Sequence, residues 1–264
     1  MRLIPILLWP LRIVYILYAL LLFIVFMFVV FPFVFIASFR GKVKGGNFIY
    51  DVLRLWSWIW LKAVFIFHRN IYEEKPDPSR QYIFVANHIS LLDAAIIVEA
   101  IRQHFRPLGK IEMKNIPVFG FIYKVCVVMV DRSSATHRAK SVRQLKSVLN
   151  KKISILVFPE GTFNLTNEPL KEFYDGAFRI AVETQTPLQP ILFLDNYDRM
   201  RHQQIFTFTP GRCRTVFLKS IPVEGYTMND IPQLKSKVFG LMSEKLQAYK
   251  ASWIQEPAGD KATI

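Results

Sequence analysis

Hydrophobic and polar positions divide the chain into distinct zones. From Arg12 to Arg40 no side chain is ionisable except those of Tyr15 and Tyr18, and the run is apolar all round. A helix of that length reaches about 40 Å against a hydrocarbon core of about 30 Å, so it can span a bilayer. Pro10 and Pro32 interrupt the run near its ends, which leaves a bent helix that dips into one leaflet and returns as the alternative. A cleaved signal peptide fits less well, because the apolar run is too long and no small-x-small site follows Phe35. Between Phe48 and Phe67, Asp51, Arg54, Ser57 and Lys62 recur at helical spacing among Trp56, Trp58, Trp60 and aliphatic residues. That is the pattern of an amphipathic interfacial helix.

A polar stretch from Tyr72 to Arg80, with Pro76 and Pro78, predicts a boundary. Beyond it, strand-like runs at 81–86, 125–130, 153–158, 188–194 and 213–221 alternate with helical patterns at 91–104, 136–149 and 173–184, which predicts an α/β fold. Leu234, Val238, Leu241, Met242 and Leu246 then keep one helical face, with Thr227 and Asp230 as a start signal. From Trp253 onward, Pro257, Gly259 and Asp260 predict a polar tail. The expected organisation is membrane-anchoring helices over 1–75, a globular domain over 76–222, and a carboxyl-terminal helix with its tail over 223–264.

Composition sharpens the membrane reading. Hydrophobic residues make up 52% and Phe alone numbers 23, more than a soluble surface needs, with the excess concentrated before residue 70. Lys and Arg total 34 against 20 Asp and Glu, a net charge of +14 that favours anionic partners: lipid headgroups, phosphorylated cofactors, acidic carrier proteins or nucleic acid. Arg40, Lys42 and Lys44 follow the apolar run, whereas only Arg2, Arg12 and the amino terminus precede it, so the main domain is expected on the cytoplasmic side. Arg138, Lys140, Arg143, Lys146, Lys151 and Lys152 have no acidic neighbour in sequence and oppose Ala139, Val142, Leu145 and Leu149, forming either a solvated face or a dock for anionic lipid or an acidic carrier. Cys126 and Cys213 sit in apolar runs away from any metal-ligand spacing and read as buried free thiols.

Candidate chemistry begins at Asn87-His88-Ile89-Ser90-Leu91-Leu92-Asp93, directly after the run Tyr82 to Ala86. In one continuous helix His88 and Asp93 would stand about 140° apart and never meet. His88 is therefore expected in the turn before a helix, with Ser90 as N-cap and Asp93 in the first turn, its carboxylate directed back at the imidazole. Such a pair fixes the tautomer and leaves the other ring nitrogen free as a base. The same spacing also suits a simple capping box without chemistry. A second segment, Phe158-Pro159-Glu160-Gly161-Thr162, ends the run Ile153 to Phe158 and puts a carboxylate, a flexible backbone and a hydroxyl at a strand's carboxyl end, where open α/β sheets place ligands.

These two segments, in this order, resemble the glycerolipid acyltransferase family that includes bacterial 1-acyl-glycerol-3-phosphate acyltransferases. The resemblance covers about residues 80–222. It extends to Lys110-Ile111-Glu112-Met113 with Ile116-Pro117-Val118-Phe119-Gly120, to Val130-Asp131-Arg132, and to the stretch Pro187 to Ile191. It implies a glycerolipid-acyltransferase-like αβ domain behind an apolar membrane-associated segment. It also implies that His88 acts as general base on an acceptor hydroxyl and that Asp93 orients it. The hydroxyl would attack the thioester of acyl-CoA or acyl-carrier protein without a covalent acyl-enzyme. By the same resemblance Glu160, Gly161 and Thr162 line the acceptor's glycerol-like end, and Lys110 and Arg132 bind its phosphate. No metal or bound cofactor is implied, the thioester being a substrate.

The expected reaction acylates 1-acyl-sn-glycerol-3-phosphate to phosphatidate in a membrane, bacterial-type inner membrane being the expected location, with membrane lipids and the donor as partners and no nucleic acid. Phe163 and Tyr174 stand where many phosphatidate-forming members carry cations, and each replacement removes a charge-assisted contact of about 1.5–3 kcal/mol. A lysolipid without phosphate, such as a lyso-aminolipid, is therefore the alternative acceptor. A basic membrane-anchored protein that binds lipid or nucleic acid is the reading from another class, and it leaves the ordered blocks unexplained. A serine hydrolase is disfavoured because no G-x-S-x-G elbow occurs, and zinc chemistry because His68, His104, His137 and His202 do not pair at ligand spacing.

Overall fold

The computed structural model describes residues 9–116, 119–130, 135–201 and 205–254. Its amino-terminal part is two helices, α1 (Trp9–Ser38) and α2 (Gly46–Ala63), joined by a π-helical turn over Gly41–Gly45. α1 continues through Pro32 without breaking, so no bend turns the chain back within it. The chain reverses instead at the turn, where a side chain on Gly45 would collide with the Ala37 carbonyl. α2 runs back along α1, and the pair is tied by Tyr15 donating to Val64 O (2.6 Å), Tyr18 to Ala63 O (3.0 Å) and the Trp60 indole to Ala19 O (3.3 Å). Trp56 and Trp60 stack on each other and meet Phe23 edge-on, so of the three tryptophans expected at the membrane only Trp58 is exposed.

α2 ends at a left-handed Phe65 (φ 57°) and the chain enters β1 (Ile66–Tyr72). There follow β2 (Ile83–Ala86), α3 (Asp93–Ala100), β3 (Phe105–Lys110), α4 (Phe119–Cys126), β4 (Val128–Val130), α5 (Ala135–Leu149), β5 (Ser154–Val157), α6 (Gly176–Thr184), β6 (Leu188–Phe193), α7 (Asn196–Arg199), β7 (Gly211–Phe217) and α8 (Ile231–Ala248). The strands form one sheet in the order β1-β7-β6-β2-β5-β3-β4. Neighbours are parallel except β6 and β7, so β2 to β6 all end on one edge, while β7 and β1 begin there. β2, β5 and β6 are buried along their whole length, as expected where helices cover both faces. α2, α3 and α4 pack together on one face; α6 joins α5 and α8 on the other.

Two strands escaped the sequence pattern. β1 lies inside the stretch read as helix and boundary, so the sheet begins at Ile66, ahead of the expected start of the globular domain. β3 contains Pro107 and Gly109, residues uncommon inside strands; its residues 105–107 pair with β5 and 108–110 with β4, and a Pro is tolerated where the strand changes partner. Its Arg106 is 3% exposed, and the guanidinium donates to Lys42 O and Asn47 Oδ1, fastening the helical turn to the sheet. Trp253, expected to open a polar tail, is buried and its indole donates to Glu168 O (3.2 Å); the rest of that stretch, from residue 255, lies outside the described residues. Both cysteines are unpaired and buried, and burial pushes the Cys126 thiol up to about 12.

Phe84 is wholly buried in the middle of the sheet. Phe84→Ala is expected to lower stability by about 3–5 kcal/mol, read as a fall in Tm of the detergent-solubilised protein.

Candidate active site

The loop after β2 is built around one carboxylate. Asp93, the first residue of α3, is fully buried, and its Oδ2 accepts from His88 Nδ1 (2.8 Å), Ile89 N (2.9 Å) and Ser90 N (3.0 Å). Oδ1 accepts from Asn196 Nδ2 (2.8 Å) on α7. A carboxylate used as acceptor on both oxygens requires His88 to carry its proton on Nδ1, which leaves the Nε2 lone pair free. The reciprocal half of a capping box is present in the Ser90 N–H bond, so the same carboxylate starts the helix and orients the ring. Ser90 is not the N-cap that the sequence led us to expect: Leu92 precedes α3 in that position, and Ser90 Oγ instead accepts from Leu92 N (3.0 Å) and donates to Met200 O.

Aromatic rings cover the faces of the imidazole. Phe158 stacks on it at 4.2 Å between centroids and Phe163 lies against it at 4.1 Å. The His88 side chain keeps 23% exposure, so it remains accessible between covered faces. The loop is held from behind as well. Asn87 bridges to β6 through both Phe193 N (2.8 Å) and Phe193 O (3.1 Å), and His88 O accepts from Asn164 N (2.7 Å).

Glu160 is turned inward. It is 1% exposed, and its oxygens accept from His88 N (2.9 Å) and Lys171 N (2.9 Å), clamping the two loops together instead of facing an acceptor. Burial pushes its pKa up to about 7, opposed by those two N–H donors and the Lys171 charge. Gly161 turns with φ 72°, a backbone angle that suits glycine, and leaves Thr162 at the surface. Thr162 Oγ1 accepts from Lys171 Nζ (2.8 Å), a cation that sequence reading passed over because only the fold brings it to the motif. Lys110 closes β3 on the same sheet edge as His88, exposed, its carbonyl held by Tyr123 OH (2.8 Å). Arg132 lies outside the described residues.

Tyr174 is exposed, its N–H bound to Pro159 O (2.9 Å). Lys146, expected on an unpaired basic face, is bonded to Glu183 of α6 at 2.6 Å, a partner distant in sequence, and the Arg138 and Lys140 side chains lie outside the described residues. The other described histidines serve elsewhere: His68 meets Thr215 and Glu99, and His104 meets Asp51. Among the described residues no His, Cys, Asp and Glu side chains converge as a metal site.

Fold and site together define an α/β domain with a His–Asp dyad at the carboxyl edge of a largely parallel sheet. The family model Acyltransferase matches residues 67–194, a little under half of the chain, and that segment is similar to the acyltransferase family. The 1-acyl-sn-glycerol-3-phosphate acyltransferase alpha of Ovis aries is 31% identical over 163 residues, which cover 61% of this chain and 56% of the relative. The chain thus spans little more than half the length of that relative. A probable 1-acyl-sn-glycerol-3-phosphate acyltransferase of Mycoplasma genitalium is 24% identical over 213 residues, covering 76% of this chain and 78% of its own. The crystal structure of the 1-acyl-sn-glycerophosphate acyltransferase PlsC of Thermotoga maritima has the same fold, with a TM-score of 0.76 at 22% identity, covering 92% of this chain and 98% of that one.

Because burial raises the pKa of Glu160, folding favours its neutral acid. That stabilisation is complete below the ordinary value of 4.5 and is lost as pH rises through about 7. Glu160→Gln is expected to be less stable overall, since its amide turns a donor toward one of the two N–H groups, and to lose the decline between those pH values. Urea midpoints measured across that range check both effects.

Proposed function

We propose that the chain is a membrane-bound acyltransferase that moves a fatty acyl group from acyl-CoA or acyl-carrier protein to the free hydroxyl of 1-acyl-sn-glycerol-3-phosphate. The observation that carries this reading is the His88 Nδ1 to Asp93 Oδ2 contact of 2.8 Å, which leaves Nε2 as an aligned base on the ligand-binding edge of the sheet. Nε2 takes the acceptor's hydroxyl proton as that oxygen attacks the thioester carbonyl. The C–S bond then breaks, and the imidazolium returns the proton to the departing sulfur. The ester and a free thiol result, with no acyl-enzyme. Asp93 stabilises the transient imidazolium, and the Phe158 and Phe163 rings keep water from the faces of the base.

Lys110 and Lys171 are the cations we assign to the acceptor's phosphate, with Thr162 and Gly161 beside its glycerol; Arg132 keeps its place in this reading on resemblance alone. Phe163, by presenting an aromatic ring at the base where a cation could stand, favours the alternative of a phosphate-free lysolipid.

The amino-terminal helices support a flat attachment to one leaflet. α1 is long and apolar enough to cross a membrane, with a mean hydropathy of 3.1. Yet Tyr15 near its start stacks on Phe208, and Phe31 and Phe35 near its end pack on Phe121 of α4. Those contacts are about 30 Å apart along the helix, as much as the hydrocarbon core is thick, so a spanning α1 would carry the polar domain through the bilayer. Lying flat, it offers Leu11, Phe28 and Ile36 to lipid beside Leu55 and Trp58 of α2. The net charge of +14 favours the anionic cytoplasmic leaflet.

Purified protein offered a panel of lysolipids with acyl-CoA or acyl-carrier protein is expected to acylate lysophosphatidate, and His88→Ala to lower kcat by about a thousandfold. Lys110→Ala and Lys171→Ala should raise KM for lysophosphatidate about tenfold while sparing a phosphate-free acceptor. Undiminished turnover in His88→Ala ends the general-base assignment, and acylation of a lyso-aminolipid alone transfers the acceptor to the second reading. For the attachment, protease tags placed before Met1 and after Ile264 should be cut from the same side of sealed vesicles; cleavage from opposite sides means that α1 spans.

A further inference from the structure

The edge of the sheet opposite the dyad carries a cavity of about 260 Å³ that the acyl-transfer reading does not use. It lies where β2, β3 and β5 begin, lined by Arg80, Arg102, Lys151 and Lys152 with Asp51 and His104. β5 alone, four residues at about 3.3 Å each, separates this edge from Glu160. The charge balance is lopsided. Asp51 is already engaged by Arg54 at 3.4 Å and His104 at 3.1 Å, while among the described residues the four lining cations make no ion pair. Arg80 senses Asp77 beyond ion-pair distance, and Arg54 and Arg102 stand near enough to repel. The floor between them is rigid, because the Gln103 amide donates to Arg80 O (3.1 Å) and Ser154 Oγ (2.6 Å).

We propose that this cavity is a second anion site, which holds the phosphate of an anionic membrane lipid. Uncompensated cations converging on a small polar hollow favour a phosphate ester and repel a choline head. The lipid source follows from position. Asp51, Leu55 and Trp58 share one exposed stripe of α2, so the cavity opens beside the apolar surface that rests on the membrane, and Arg40, Lys42 and Lys44 precede that helix. This placement rests on the flat attachment proposed above. A thioester donor is disfavoured as occupant because its reacting carbon must reach His88 on the far edge. Binding here would fix the rotation of the α1–α2 pair at the headgroup level, through a site that touches neither the dyad nor the acceptor.

The test uses the full chain in non-ionic detergent, where attachment geometry plays no part. Tm is followed against short-chain phosphatidylglycerol, short-chain phosphatidylcholine and inorganic phosphate. Phosphatidylglycerol should raise Tm saturably in the native protein and in His88→Ala, with no effect of phosphatidylcholine. The double variant Arg102→Ala, Lys152→Gly should need about tenfold more phosphatidylglycerol for the same shift, with unchanged turnover. Glycine accepts the left-handed backbone of Lys152 (φ 57°), so this change is not expected to unfold the turn. Equal shifts in native and double variant, or loss of the shift in His88→Ala, would overturn the proposal. So would an equal response to inorganic phosphate, which would mean a site for free anions.

Discussion

A carboxylate withdrawn from water persists only where donors replace the hydration it loses, and at Asp93 four do so. Two are backbone N–H groups of its own loop, one is the imidazole of His88, and one is an amide reaching in from α7. Satisfying that one charge joins the end of β2, the start of α3 and the segment after β6, and it selects the tautomer of the histidine. Glu160 repeats the device one strand over, with backbone donors from two loops on its two oxygens. The loops at this edge are therefore held by buried acceptors, which confines His88 more tightly than packing of exposed loop side chains could.

The sheet supplies the other half of that positioning. Parallel strands covered on both faces bring their carboxyl ends to one edge, so segments far apart in sequence deliver His88, Lys110, Glu160 and Asn196 to a common rim. The antiparallel β7 and its parallel neighbour β1 extend the sheet toward α1, whose Tyr15 rests on Phe208 near that rim. The proposed membrane contact and the proposed chemistry would thereby be linked mechanically, since the apolar helix pair is bonded through Tyr15 and Tyr18 to the segment from which the sheet begins.

Largely apolar runs made β2, β5 and β6 legible, because a strand buried on both faces must be mostly apolar. β1 was hidden by its continuity with the aromatic helix before it, and β3 by a Pro and a Gly that interrupt the apolar pattern of a strand. At the site, His88 and Asp93 were legible because they are local: a turn and the first residue of a helix are set by neighbours. Asn196 and Lys171 were not, since each acts through a contact made only when distant loops close. At Glu160 the residue type was visible in the sequence and its inward direction was not.

The sequence by itself determined the apolar amino-terminal helices, the alternation of strands and helices, and the His–Asp spacing, all consequences of solvation and local backbone geometry. The tertiary structure alone decided that α1 lies against the domain at both ends, that Glu160 turns inward as a clamp, and that Lys146 finds Glu183 while Lys152 makes no ion pair among the described residues. These depend on which surfaces meet when the layers pack, and burial rewrites the cost of every charge it encloses.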